Sequence, residues 1–214
     1  MKRYIAILSV TICLATSTSA KNYEAILSQI HKSDQTARWE LIEAQKSGNT
    51  KTIIDAVKKI ERHDQQNQKI VFRMLDKRGI PENLSNEAID AIWLVIQHSD
   101  LEHIEKYLPI LDQAAKRGYI SQIQLATMKD RLRVYKHTAQ IYGSQTVEIG
   151  ETIYFYPIVD FENLNARREQ IGMGAIEKYI ETLSNITGKK VILYKEITFE
   201  QIEKFQKQSQ NKQK

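Results

Sequence analysis

The spacing of apolar residues along the chain predicts a protein made mainly of helices. Apolar positions recur every three to four residues over 22–47 and over 50–78, and a glycine follows the end of each segment. Three further helices are expected to begin after candidate capping residues, at Ser85, Asp100 and Ser121. The helix after Asp100 contains Pro109, where we expect it to kink or restart.

Beyond Gly143 the pattern changes from helical spacing to alternation. The runs TVEI and TIYFY are separated by Gly150 and Glu151, and this arrangement predicts a β-hairpin near residues 146–156. Helical spacing then returns, followed by the short run VILY and a last helix. The expected fold class is mainly α, a single-domain helical bundle over 21–202 with a small β-hairpin, and 203–214 is expected to be a disordered polar tail.

Residues 1–20 have the composition of a secretory signal peptide. Two basic residues precede an apolar run, and small residues end the segment at Ala20. The run from Tyr4 to Ala15 is shorter than the ~20 residues needed to cross a bilayer, so we expect cleavage and no stable membrane anchor afterwards. The sequence therefore predicts an exported protein, periplasmic or secreted.

Charge and cysteine content exclude several classes of function. The chain has 31 basic and 26 acidic residues; residues 1–20 hold two of the basic ones, and residues 203–214 hold four Lys and one Glu. Residues 21–202 therefore balance at 25 of each, and no basic patch indicates nucleic acid as a partner. The only cysteine, Cys13, lies in the predicted signal peptide, so the mature chain has no disulfide or thiolate nucleophile.

Several polar residues stand where helical spacing predicts apolar ones. Asp64 and Asn67 continue the apolar stripe of the second helix, so Asp64 should face the core or the floor of a cleft. A carboxylate in such a position needs partners. Gln97 and His98 end a third helix that is apolar nearly all round, and Asp130 shares a face with apolar residues of the fifth helix.

An ordered set of motifs in the sequence resembles an uncharacterised bacterial family of unknown function. The motifs are Trp93-x-x-x-Gln97-His98, Asp130-Arg131, Gln140-x-Tyr142-Gly143-Ser144-Gln145, and Asn165-Ala166-Arg167-Arg168 with Gly172. The resemblance covers roughly residues 64–180, and Ser144 stands where the family more often has Thr. No reaction is established for the family, so the resemblance implies where a site lies and leaves its use open.

These residues lead to the hypothesis of one polar pocket. The candidate catalytic residues are His98, as general acid or base, with Asp64 or Asp130 orienting it. Arg131 would hold an anionic group of the ligand. The full set of candidate ligand-binding residues is Gln97, Arg131, Gln140, Tyr142, Gln145 and Arg168. The alternative interpretation is a satisfied polar network that fixes helix packing.

Neither a metal nor a cofactor is expected from the sequence. His31, the pair His63-Asp64 and Asp130 imitate in order the ligands of helical metal-dependent phosphohydrolases, but His63 lies about 80° from the apolar stripe around it. The segment Gly172-Met173-Gly174 lacks a preceding strand and the spacing of a phosphate-binding loop.

Three classes of function fit these observations. The favoured one is a module that binds a small polar or anionic ligand or a peptide. The second is a hydrolase or lyase that uses His98 as general acid or base on a cell-envelope or periplasmic substrate. It would work without a covalent nucleophile, because no Gly-x-Ser-x-Gly motif is present. The third is a partner-binding helical protein with exposed aromatic anchors, for which the candidates are Trp39, Tyr107 and Tyr119.

Overall fold

The computed structural model describes residues 10–212, and it describes side chains from residue 22 to residue 211. The predicted signal peptide, residues 1–20, therefore lies outside the residues whose side chains are described, and residues 1–9 lie outside the described chain altogether. Among the described residues, none of the helices combines the length and the apolar character of a membrane span.

The described chain is mainly α-helical, which confirms the predicted fold class. Before the first strand come the helices α1 (Val10–Ser47), α2 (Thr50–Arg78), α3 (Asn86–Gln97), α4 (Leu101–Lys116) and α5 (Gln122–Tyr135). Later in the chain are a 3₁₀ turn (Phe161–Asn163), α6 (Leu164–Gln170), α7 (Ile176–Thr187) and α8 (Phe199–Lys212). The strands are β1 (Thr146–Ile149), β2 (Thr152–Phe155) and β3 (Lys190–Ile192).

The chain divides into two compact units, Met1–Asp100 and Leu101–Lys214. In the first, here called unit 1, α1, α2 and α3 pack against one another. The buried side chains of α1 recur at helical spacing, and α3 is buried almost all round because small and branched apolar residues occupy nearly every position. The side-chain oxygens of Asn49 and Ser85 accept from backbone N–H groups in the first turns of α2 and α3, and for Ser85 this confirms the predicted cap.

The second unit, here called unit 2, contains the sheet, and its hairpin is where the alternating pattern predicts it. β1 and β2 pair antiparallel with Ile149 opposite Thr152, so Gly150 and Glu151 form the two-residue turn, with Gly150 at φ 61°. β3 then pairs with β2 in parallel, which makes β2 the central strand. A parallel pairing requires a crossover, and the chain from residue 156 to residue 189 supplies it.

A small hydrophobic core supports this sheet and the turn before it. Phe155, Leu164 and Ile176 are its fully buried members. Gly143 lies against the same core with φ 65°, and a Cβ there would lie 3.0 Å from Cδ1 of Ile158 and 3.3 Å from Cδ1 of Ile176. Both the left-handed conformation and the lack of space therefore require glycine at this position.

Two expectations for unit 2 concern Pro109 and the C-terminal tail. Of the kink or restart expected at Pro109, the restart does not occur, since α4 continues through Pro109 to Lys116, with Tyr107 and Leu111 on either side both buried. The segment expected to be a disordered tail from residue 203 instead continues α8 to Lys212. This Gln/Lys-rich segment follows the buried Ile202 and contains Phe205 three residues further on, whose ring lies 5.2 Å from that of Tyr154.

Candidate functional site

A cluster of four ionisable side chains joins the three helices of unit 1. We call it the Asp34 cluster, and its members are Asp34 and Arg38 on α1, Asp64 on α2 and His98 at the C-terminal end of α3. Asp34 is only 3% exposed, whereas the other three side chains are 16–27% exposed. The cluster therefore has one buried carboxylate, that of Asp34, and three side chains that solvent partly reaches.

The guanidinium of Arg38 links the two carboxylates. Its Nε donates to both carboxylate oxygens of Asp34, at 3.0 and 3.2 Å, and its Nη2 lies 2.9 Å from Oδ1 of Asp34 and 2.9 Å from Oδ1 of Asp64. Such a pairing is what a buried carboxylate requires, since an ion without a partner is costly to bury. One cation shared by two anions leaves the cluster with an excess negative charge while His98 is neutral.

The imidazole of His98 faces the buried carboxylate. Its Nδ1 lies 3.8 Å from Oδ1 of Asp34, which is an ion-pair distance and longer than a hydrogen bond. The backbone at this point is fixed, because the carbonyl of His98 accepts a hydrogen bond from Nε2 of Gln68 at 3.2 Å. One nitrogen of the ring thus lies beside a carboxylate, an arrangement that stabilises an imidazolium electrostatically.

The second carboxylate of the cluster holds its proton to higher pH than an ordinary aspartate. Burial raises the pKa of Asp64; the charge of Arg38 opposes this rise, and the charge of Asp34 adds to it. Three residues along α2 from Asp64, the side chain of Asn67 is buried, and its Nδ2 has no hydrogen-bond partner among the described residues. Two polar residues on the apolar stripe of α2 are thus kept in environments that cost free energy.

Three members of the Asp34 cluster are spaced closely enough to hold a metal ion. One ligand atom from each of Asp34, Asp64 and His98 lies within 4.8 Å of the other two. Two carboxylates and an imidazole suit a divalent transition metal. A cation there would compete with Arg38, which already donates to both carboxylates. This trio differs from the set weighed in the sequence, since Nδ1 of His31 lies instead 3.5 Å from Glu87.

In unit 2, Asp130 is fully buried and holds the 141–144 turn in place. Its Oδ1 accepts from the backbone N–H of Ile141 at 2.7 Å and of Tyr142 at 3.1 Å. Its Oδ2 accepts from the N–H of Tyr142 and of Ser144, both at 3.1 Å, and from the hydroxyl of Ser144 at 2.9 Å. Burial raises the pKa of Asp130 and these hydrogen bonds oppose the rise. Its described partners therefore give Asp130 the role of organising a loop.

Gln140 binds the other side of the same turn. It is fully buried; its Nε2 donates to the carbonyls of Gln145 at 2.9 Å and Tyr156 at 3.0 Å, and its Oε1 accepts from the N–H of Gln145 at 2.8 Å. Nε2 of Gln145 donates in turn to Ser144 Oγ at 3.1 Å. The contacts of Gln140 and Gln145 are those expected under the alternative interpretation, in which the polar residues form a satisfied network.

The three arginines of the family-like motifs, Arg131, Arg167 and Arg168, lie in unit 2 and have different surroundings. Arg168 is 3% exposed and donates from Nε to the carbonyl of Gly174 at 2.7 Å and from Nη1 to the carbonyl of Tyr142 at 2.6 Å. Arg167 donates to three backbone carbonyls, including that of Val159 at 2.6 Å. Arg131 lines a cavity of about 390 Å³ together with Gln145. These side chains surround the 140–145 turn from several sides.

The predicted site residues thus fall into two groups. His98 and Asp64 come together in unit 1, where Gln97 is half-buried beside His98 in sequence. Asp130, Arg131, Gln140, Tyr142, Gln145 and Arg168 belong to unit 2. That all of them line one pocket stays a prediction, as do their catalytic and ligand-binding roles.

Sequence reasoning missed Asp34 and Arg38, although a signal for Asp34 is present. Leu27, Ile30 and Ala37 are buried residues of α1 at helical spacing, and Asp34 continues their stripe. The argument that singled out Asp64 on α2 therefore applies equally to α1. Arg38 follows from Asp34, because a cation four residues further along a helix lies next to the carboxylate.

The fold and these polar clusters define a mainly α-helical protein whose buried charges are concentrated at two places. The chain belongs to a family of unknown function, DUF6624, whose sequence model matches residues 22–192. The match extends beyond the range 64–180 expected from the motifs and includes Asp34 and Arg38. A comparison with curated proteins found no match, and neither did a comparison with solved structures.

Proposed function

We propose that the protein binds a small polar ligand at the Asp34 cluster and that His98 exchanges a proton with that ligand. The observation that carries the proposal is the 3.8 Å separation of His98 Nδ1 from Oδ1 of Asp34, a buried carboxylate fixed by Arg38. A carboxylate beside one ring nitrogen stabilises the cation of an imidazole, which supports His98 as the group that takes up and releases a proton.

The charge of the cluster indicates the kind of ligand. Two carboxylates share the single guanidinium of Arg38, and the excess negative charge favours hydroxyl, amino or other donor groups over anions at this point. The partial exposure of His98, Asp64 and Arg38 supports access for a small molecule. A sugar-like or amino-sugar-like compound of the cell envelope has such donor groups.

A balanced proton transfer follows from this arrangement. As a base, His98 would take a proton from a water molecule or from the substrate, and the imidazolium would then return it to the leaving group, so the enzyme ends each cycle in its starting state. Asp64, whose pKa is raised by burial, would act as the second donor or acceptor. This is hydrolase or lyase chemistry without a covalent intermediate.

Binding without turnover is the second function that the cluster can serve, and it needs only the donors and acceptors already described. Export is part of the proposal in either case. The basic, apolar and small-residue segments of residues 1–20 support it. An envelope or periplasmic ligand would then be met after export.

Untargeted metabolite profiling of periplasmic extract incubated with purified protein tests both functions. If His98 transfers protons, wild type should deplete one compound, His98→Gln should still bind that compound without consuming it, and Asp34→Asn should slow its consumption by about 10²-fold or more. The control is His137→Gln, because His137 is 68% exposed and lies outside the cluster.

Other outcomes separate the two functions. A compound that is retained but never consumed, with affinity reduced in both His98→Gln and Asp34→Asn, would establish a binding protein. Equal binding and equal consumption by wild type and both cluster variants would refute any role for the Asp34 cluster.

A further inference from the structure

Unit 2 contains a cavity whose lining residues include none of the Asp34 cluster. The cavity, of about 380 Å³, lies between α5, α7 and the loop that joins α6 to α7, and Arg168 contributes to its wall. We infer that this cavity binds an amphipathic carboxylate, a small molecule with one carboxylate group and an apolar body, and that Arg168 and Lys178 hold the carboxylate.

The first step of the inference concerns the buried charge. Arg168 is 3% exposed, and its described hydrogen bonds go to two backbone carbonyls, which are neutral acceptors. Tyr179, whose ring centroid lies 5.6 Å from Cζ of Arg168, favours its charge, as do Asp130 and Glu177, yet no ion pair joins Arg168 to a carboxylate among the described residues. Burial accordingly lowers the pKa of Arg168. A buried guanidinium in this state gains free energy when an anion reaches it.

The second step concerns the charge of the cavity wall. Lys178 is exposed, lines the same cavity, and is the other cation there. The lining residues include no Asp or Glu. The hydroxyl of Tyr179 and the side chain of Thr182 add neutral polar groups nearby. A single negative charge on the ligand is therefore matched by two positive charges of the protein.

The third step concerns the rest of the wall, which selects the ligand's body. Ile123, Met173, Ala175 and the ring of Tyr179 present carbon atoms to the cavity. Methionine adapts its shape to apolar ligands, and Ile123 is 37% exposed, so a ligand would cover surface that water now contacts. A free inorganic anion would leave this surface uncovered. A carboxylate with a medium-length alkyl chain or a fused aromatic ring matches both the cationic and the apolar residues of the cavity wall.

Isothermal titration calorimetry of the full chain tests the inference, with octanoate, octan-1-ol and acetate as probes below micelle-forming concentrations. Octanoate should bind at least about tenfold more tightly than octan-1-ol, because only the acid meets the cations, and acetate should bind more weakly than either. Lys178→Gln should weaken octanoate binding about three- to tenfold and leave octan-1-ol unchanged.

Two further variants complete the test. Ile123→Glu, at an exposed position, should abolish octanoate binding by placing an anion in the cavity, while Lys204→Gln on α8 should change nothing. Equal affinity for octanoate and octan-1-ol, octanoate binding that survives Ile123→Glu, or no octanoate binding by wild type would each overturn the inference. His98→Gln should bind octanoate as wild type does, so this test is independent of the proposed function.

Discussion

Replacing Gln140 should break the connection between the 140–145 turn and the end of β2. Gln140→Leu keeps the approximate shape of the side chain and removes three hydrogen bonds, of 2.8, 2.9 and 3.0 Å. The N–H of Gln145 and the carbonyl of Tyr156 then lose the Gln140 side chain as a partner, whereas the carbonyl of Gln145 keeps the N–H of Tyr156 at 3.3 Å. A buried polar group left unsatisfied costs about 1–3 kcal/mol, so we expect a loss of about 3–5 kcal/mol in the free energy of unfolding, after partial relaxation.

A second substitution at the same position should make the stability of the protein depend on pH. Gln140→Glu replaces the donating amide nitrogen by an oxygen that faces two carbonyls, so the ionised form is repelled and burial raises the pKa of the introduced carboxyl. A raised folded-state pKa makes stability greatest at low pH, and that stability is lost as the pH rises through the folded-state value. Gln140→Glu should therefore regain stability relative to wild type as the pH falls through the raised pKa of the introduced carboxyl.

Urea unfolding followed by far-UV circular dichroism measures both effects. Both tryptophans, Trp39 and Trp93, belong to unit 1, so tryptophan fluorescence would not report directly on the turn. Hydrogen exchange of the Gln145 amide gives a local reading, because that N–H is bonded to Gln140 itself. Gln208→Glu, at an exposed position of α8, is the matched control and should behave as wild type. An unchanged midpoint and unchanged Gln145 exchange in Gln140→Leu would refute the reasoning.

Three further predictions concern other buried positions. Gly143→Ala should destabilise the protein by about 2–4 kcal/mol in a thermal or urea melt, because it adds strain and a close contact. Gly172→Ala, equally left-handed but with nothing within 4 Å, should cost clearly less, and equal costs would show that space at Gly143 does not matter. Asn67→Leu should be neutral or stabilise by about 1 kcal/mol, since it removes a buried amide nitrogen without a described partner; a large loss would show that the amide is bonded. The stability that Asp64 contributes should be fully present below about pH 3.8 and should be lost as the pH rises through its raised pKa. Asp64→Asn should therefore remove this part of the dependence of the unfolding free energy on pH. The same pH dependence in wild type and Asp64→Asn would contradict a raised pKa at Asp64.

Periodicity predicted the helices and the hairpin because both depend on residues close together in sequence. Leu27, Ile30 and Ala37 repeat at the helical period, and Gly150 marks the turn of the hairpin. The parallel pairing of β3 with β2 was beyond this reasoning, since it depends on how α6 and α7 fold between them. The last helix was predicted, but its continuation from residue 203 to Lys212 was not, because the Gln/Lys-rich composition of that segment outweighed the spacing of its few apolar residues.

The candidate site could be predicted only in part, and for a related reason. A polar residue on an apolar stripe identifies a buried carboxylate, as for Asp64, but the stripe does not say which other helix supplies the cation. Arg38 reaches Asp64 across 26 residues of chain. For Asp130, the position on the helix predicted that the side chain is buried. It did not predict that the carboxylate accepts hydrogen bonds from the 141–144 turn, because this depends on a backbone conformation that the spacing of apolar residues does not encode.

The central place of β2 has a consequence for synthesis and truncation. β1 precedes it and can pair at once, but β3 is translated only after α7, so one edge of β2 stays bare on the ribosome until Ile192 has emerged. Bare strand edges recruit other strands, including those of neighbouring nascent copies. Fragments that stop before residue 190 should therefore form intermolecular aggregates, and a chain that reaches residue 192, where the family match also ends, contains the strand that closes this edge.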